Sequence, residues 1–312
     1  MKLSKAIEGY LLDSSTTHAV ATVYLRKAYL GMFCEYAEDP DLTSVTSDDL
    51  ARWLAYLKND YVPHRFPSAK TIGPLSPSAL DNHWKSLRSF FGWCERKLKL
   101  PRPDLSLQKP KYKLPEVVPF TQEQMTKLFT YATNNFADGE TRKYKMSRPT
   151  GLRDVVILTL LIETGVRLGE LCRMQVQDLD KDGSLVVRPF GSSRKSRPRM
   201  VYLGQRARFH VWRYLASRED LRPEDAIIPL APDRIRALLY SLGQRAGVND
   251  VHPHRFRHTF ALEYLRNGGD VFTLQRLLGH STLDMVQHYI AIVETDKRNA
   301  HRAASPMDKW RI

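Results

Sequence analysis

Cysteine is scarce in these 312 residues: there are three, Cys34, Cys94 and Cys172, far apart and odd in number. That pattern excludes a disulfide framework and a cysteine-based zinc site, and each reads as a small core residue in a reducing cytosol. Long hydrophobic runs are missing too. The longest, residues 155–162, is eight residues with Thr159 inside it, less than half of the roughly 20 a membrane span needs. The opening Met1-Lys2-Leu3-Ser4-Lys5 leads into mixed polar sequence without the apolar stretch of a signal peptide. A soluble, cytoplasmic protein is expected. No internal repeat or low-complexity tract is evident. Acidic side chains are the under-represented charge, 34 against 48 Lys and Arg, for a net +14. That excess favours a polyanionic partner, but charge alone does not separate nucleic acid from an anionic membrane surface or a merely soluble basic protein.

What is present is enough for folded domains. Apolar residues make up 42% of the chain and aromatics 10%, which excludes a disordered basic tail. The length suits two domains, each with its own core. The charge is uneven: residues 1–50 carry a net −4, residues 51–112 a net +8, and residues 113–312 a net +10. The first segment therefore reads as scaffold and the second contains a basic surface.

Residues 1–100 show helical periodicity. Thr46-Ser47-Asp48-Asp49 resembles an N-cap with acids in the first turn, followed by Leu50, Trp53, Leu54 and Leu57 at helix spacing. Leu80, Trp84, Leu87, Phe91 and Cys94 form another stripe, with Lys85 and Arg88 off it. Such charges usually line a solvated face; the basic balance points here to a face that contacts phosphate. Residues 101–118, with four prolines, read as an extended linker. Thr121-Gln122-Glu123-Gln124 then has the form of a capping box opening a second domain. Further on, an apolar helix ending near Ile162 stops at Thr164-Gly165, where glycine can take the left-handed cap, and Arg167 begins a short helix. Ser184–Phe190 and Arg199–Leu203 read as a β-hairpin with a basic tip. Helices return afterwards, with Trp212, Leu215, Ile235 and Leu238 as expected core positions. The fold class is mainly α, with one small antiparallel sheet in the second domain.

Two signals fail on inspection. Asp178-Leu179-Asp180-Lys181-Asp182-Gly183 starts like a calcium loop, but the position that needs a bidentate Glu is Pro189. It is better read as the turn into the hairpin. His252, His254 and His258 cluster, but Arg255 and Arg257 lie between them and no Cys or carboxylate completes a metal shell.

The remaining polar groups form a stronger set. In order they are Thr164-Gly165-Val166-Arg167-Leu168-Gly169-Glu170-Leu171, the hairpin lysine, His254-Arg255-Phe256-Arg257-His258-Thr259-Phe260, Leu277-Leu278-Gly279-His280-Ser281, and His288-Tyr289. Each alone is weak. Together, in this order and spacing, they resemble the tyrosine recombinase (phage integrase) family, whose catalytic set is Arg, Lys, His-x-x-Arg, His/Trp and Tyr.

The resemblance covers nearly the whole chain. It implies a helical core-binding domain at 1–105, a linker at 106–115 and an α+β catalytic domain at 116–312. It further implies the catalytic set Arg167, Lys195, His254, Arg257, His280 and Tyr289, with Glu170 placed to orient Arg167. Lys195 is the only lysine in the hairpin, and Arg194 is the fallback for its role. Lys85, Arg88, Arg194 and Arg197 are the expected DNA contacts.

In the implied chemistry Tyr289 attacks a DNA phosphate, forming a 3′-phosphotyrosyl link and releasing a 5′-hydroxyl. Arg167 and Arg257 hold the non-bridging oxygens, His254 accepts the phenol proton, Lys195 protonates the leaving oxygen, and His280 bonds a phosphate oxygen. Positioned cations take the place of a metal, so no metal or cofactor is expected. The implied assembly is a homotetramer on two double-stranded sites in the nucleoid, without an arm-binding domain, as in Xer-like or mobile-element recombinases. Residues 290–312 are apolar enough to dock on a neighbour or in cis. A type IB topoisomerase shares the chemistry without strand exchange, and a catalytically inactive DNA-binding accessory protein is the rival from another class. A DDE transposase would need a carboxylate triad, for which no motif exists.

Overall fold

A computed structural model describes residues 1–63, 74–111, 117–135, 146–147, 150–189, 198–279 and 283–305. The chain separates into two units, Met1–Pro115 and Glu116–Ile312. The fold is mainly helical with small antiparallel sheet, as the sequence pattern implied. Among the described residues no helix is long and apolar enough to cross a membrane.

The first unit holds α1 (Leu3–Thr17), α2 (Val20–Tyr36), α3 (Ser47–Asn59) and α4 (Pro77–Leu98). The Thr46 cap is a full capping box: the Asp49 N–H donates to Thr46 Oγ1 (3.3 Å), and the Thr46 N–H donates to Asp49 Oδ2 (2.9 Å). Ser76 caps α4, Pro77 occupies its first turn, and Lys99 ends it in the left-handed region. α4 packs against all three other helices, so its buried face is wider than one stripe: His83 and Phe90 join Leu87, Phe91 and Cys94 in the core. The expected extended linker differs at its start. Pro103–Ser106 forms a 3₁₀ turn, because the fully buried Asp104 carboxylate accepts from Arg102 Nε (3.2 Å) and NH2 (2.7 Å).

The second unit begins with α5 (Gln122–Thr133), whose Thr121/Gln124 capping box has both bonds at 3.2 Å. Two-residue strands β1 (Asn134–Asn135) and β2 (Met146–Ser147) pair antiparallel. α6 (Gly151–Thr164) is buried continuously over Val155–Leu161, and α5, α8 (Gln205–Ala216) and α10 (Pro253–Arg266) pack against it. Between these lie the single turn α7 (Leu168–Leu171), β3 (Ser184–Val187), β4 (Arg199–Tyr202) and α9 (Pro232–Ala246); α11 (Val271–Leu278) and α12 (Asp284–Ala304) follow. β3 and β4 form the expected hairpin, Ser184 opposite Tyr202 and Val187 opposite Arg199. The false calcium loop is the turn before it, with Asp182 Oδ1 accepting from the Ser184 N–H (2.8 Å). Trp212 departs from expectation. It is 37% exposed, because α8 buries Ala207, Val211, Tyr214 and Leu215, and position 212 falls beside that face. In α12, Tyr289 and Val293 are buried in one cluster with residues of α10 and α11 of the same chain.

Candidate active site

The site begins at a glycine. Gly165 ends α6 at φ 60°, and a Cβ there would come within 2.5 Å of Phe260 Cδ1 and 2.9 Å of Leu278 Cδ2. Only glycine fits, and it turns the chain so that Arg167 caps α7. Glu170, buried on that turn, accepts at Oε2 from the Arg167 N–H (2.9 Å) and at Oε1 from Arg167 NH1 (3.2 Å). The same carboxylate takes a two-pronged bond from Arg199 of β4, NH1 to Oε1 (3.0 Å) and NH2 to Oε2 (2.7 Å). Arg199 Nε reaches on to the Leu277 carbonyl (2.6 Å). One buried acid therefore fixes Arg167, and one buried arginine ties it to the hairpin and to α11.

Arg257 makes the second tie. Its side chain is buried, with NH1 on the Gly165 carbonyl and NH2 on the Leu278 carbonyl, both at 2.7 Å. Burial, and then the charge of Arg167, push its guanidinium down to about 9, so it stays charged at neutral pH. His254 stands one turn before it on α10. Burial and then the nearby Arg257 hold its imidazole below the ordinary histidine range, hence neutral near pH 7. Arg167, His254 and Arg257 line one cavity of about 470 Å³, together with His252 and Tyr240. Two guanidiniums and a neutral imidazole facing one space suit an anionic oxygen cluster such as a phosphodiester.

Tyr289 reaches this neighbourhood from α12. It is 4% exposed, and burial pushes its phenol up while the charge of Arg257 pulls it down. Its Oη lies 2.7 Å from His258 Nδ1. His258, not His254, is thus the imidazole in contact with the phenol. It was missed as a functional residue, although its i,i+4 spacing from His254 sets both on one face of α10. Arg199 was also missed, because nothing in its local sequence points to a carboxylate 29 residues earlier.

Lys195, Arg194, Arg197 and His280 lie outside the described residues. Lys85 is 56% exposed and paired with the buried Asp81 (2.6 Å). Arg88 is partly exposed, with 32% of its side chain open to solvent; it sits over the Trp84 ring (5.4 Å) and donates to the Asp104 carbonyl (3.2 Å). It carries part of the unit's own structure.

Comparison with known proteins gives the family and the fold. The pattern of the phage integrase family matches residues 120–295. Tyrosine recombinase XerC of Staphylococcus carnosus (strain TM300) is 30% identical over 283 residues, 84% of this chain and 90% of the relative. Among solved structures, the Tn1549 transposon integrase in complex with transposon right end DNA superposes with a TM-score of 0.72 at 16% identity, over 93% of this chain and 94% of that one. The XerH site-specific recombinase bound to palindromic difH substrate gives 0.68 at 18% identity, over 93% and 81%.

Proposed function

The chain belongs to the phage integrase family and is a site-specific DNA recombinase of the tyrosine type, and we propose that Arg167, Lys195, His254, Arg257, His280 and Tyr289 carry its reaction. The observation that supports this most is Arg257. Its two bonds join the turn bearing Arg167 to the end of α11, and its charge acts on Tyr289. The two carbonyls it joins, of Gly165 and Leu278, lie 113 residues apart in sequence, and their convergence on one cation supports a site built around a phosphate.

Tyrosine recombinases cleave and rejoin DNA through a covalent phosphotyrosyl intermediate. The Tyr289 oxygen attacks phosphorus while the bond to the 5′-oxygen breaks, and the leaving oxygen takes a proton from Lys195. Arg167 and Arg257 offer planar donors to the non-bridging oxygens, where charge grows in the transition state. Glu170 and Arg199 hold Arg167 in place before DNA arrives, so little reorganisation is needed. The phosphotyrosyl bond conserves the energy of the broken one, and a second 5′-hydroxyl reverses the step on a new strand.

DNA is the partner. Residues 116–312 carry the chemistry, and residues 1–105 serve as core-binding domain, with 106–115 as linker and Lys85 a phosphate contact. The active assembly is a homotetramer on two double-stranded sites, acting in the nucleoid in integration, excision or resolution.

The test uses a pool of nicked duplexes of randomised sequence in EDTA. The expected product is an SDS-resistant protein–DNA adduct that Tyr289→Phe abolishes, and the captured sequences define the site. No adduct with the wild type, or one that persists in Tyr289→Phe, overturns the assignment. Two captured sites on one plasmid then separate strand exchange from the simple relaxation of a type IB topoisomerase.

A further inference from the structure

We propose that His258 is the residue that takes the phenolic proton from Tyr289 when the nucleophile attacks. The inference rests on Tyr289 being the nucleophile, and deepens that reading by assigning a group to the proton.

The geometry carries it. A phenol near pKa 10 is a poor nucleophile at neutral pH, so the proton must leave as the oxygen–phosphorus bond forms. A general base must lie within hydrogen-bond reach of that proton, about 2.6–3.2 Å between heavy atoms. His258 Nδ1 meets this at 2.7 Å, with the ring planes tilted 56° to each other. The tautomer that fits has its proton on Nε2, leaving Nδ1 to accept from the phenol. His258 is half-buried while Tyr289 is almost fully buried, so bulk water is a poor competitor for this role.

His254 stands in a different setting. It shares its cavity with Arg167 and Arg257, and those cations, with burial, work against an added proton on its ring. A neutral His254 is suited to donate a hydrogen bond to a phosphate oxygen. One helix face thus divides the work: His254 and Arg257 toward the phosphate, His258 toward the nucleophile.

The step balances without a further reagent. The Tyr289 oxygen forms a bond to phosphorus, and its proton passes to His258 Nδ1. The phosphorus–5′-oxygen bond breaks, and that oxygen receives the proton of the general acid. In the reverse step His258 returns its proton to the phenol as the second strand's 5′-hydroxyl attacks. Nothing is oxidised or reduced.

The test is single-turnover cleavage of a captured nicked duplex in EDTA, near neutral pH. His258→Ala is expected to form the adduct about 100-fold more slowly or worse, the scale of a lost general base. Added imidazole should restore a large part of the rate. His258→Asn keeps a polar atom near the position of Nδ1 but takes up no proton, and is expected to be as slow as His258→Ala. Thermal melting and gel-shift affinity of both variants report whether the fold and DNA binding survive. If His258→Ala melts early, His258→Asn alone decides. Cleavage by His258→Asn near the wild-type rate, or a His258→Ala defect that imidazole leaves unchanged in a folded protein, overturns the proposal. Both outcomes leave the Tyr289-dependent adduct of the wild type standing, so failure of this inference is distinguishable from failure of the functional assignment.

Discussion

A guanidinium offers five N–H donors in one plane, and Arg257 spends two of them on the carbonyls of Gly165 and Leu278. Lysine has the charge but no fork, and its ammonium cannot serve both carbonyls in the same geometry. Arg257→Lys is therefore expected to leave a buried carbonyl unsatisfied and cost about 1–3 kcal/mol in a urea titration. Adduct formation should fall more steeply, about 100-fold or more, because a transition-state donor is displaced. Single-turnover cleavage beside the denaturation curve checks both; a wild-type cleavage rate would remove Arg257 from the phosphate. At this scale the sequence was most informative where residues sit close together in the chain. Arg167 and Glu170 are three apart, and helix spacing pairs them; His254 and Arg257, also three apart, are paired by the family resemblance. The Glu170–Arg199 pair spans 29 residues and the Tyr289–His258 contact spans 31, and only tertiary packing creates them.

Helices α3, α5 and α6 were legible because their ends carry local chemistry: Thr46/Asp49, Thr121/Gln124 and Gly165 act within one turn. What each helix buries depends on how many neighbours it has, which periodicity does not report. α4 has three, and so His83 is buried, ringed by Tyr29 at 4.4 Å and Trp53 at 5.8 Å. Among the described residues its Nδ1 has no hydrogen-bond partner. Burial pushes this imidazole down to about 4. Unfolded, it takes up its proton near the ordinary value of about 6.5, so between the two the unfolded chain binds more protons. Stability contributed at this position is complete above that window and is lost as pH falls through it. The loss at about pH 5 is expected to be about 2 kcal/mol. His83→Phe should flatten that part of the pH dependence in urea titrations of the whole chain followed by tryptophan fluorescence. Three of the five tryptophans lie within residues 1–115, so the signal reports mainly on the first unit. Equal slopes for variant and wild type between about pH 7 and pH 5 would contradict this assignment of the charge penalty.

At the scale of the molecule, the net +14 divides unevenly, negative over residues 1–50 and most dense over 51–112. Part of that density is used internally: Arg88 and Arg102 both meet the buried Asp104. Net charge therefore marks the class of partner, while the arrangement around Glu170, Arg257 and Tyr289 gives the chemistry. The order and spacing of the motifs along the chain carry the resemblance to the family. The way they converge was not legible, since it depends on Arg199 and Arg257 reaching across elements. The central claim is that DNA becomes attached to Tyr289. Its most direct measurement is mass mapping of the trapped adduct after nuclease and trypsin digestion. The tryptic peptide spanning 277–297 contains a single tyrosine, Tyr289. The expected result is a residual nucleotide on that tyrosine, absent from Tyr289→Phe; a nucleotide on any other residue would contradict it.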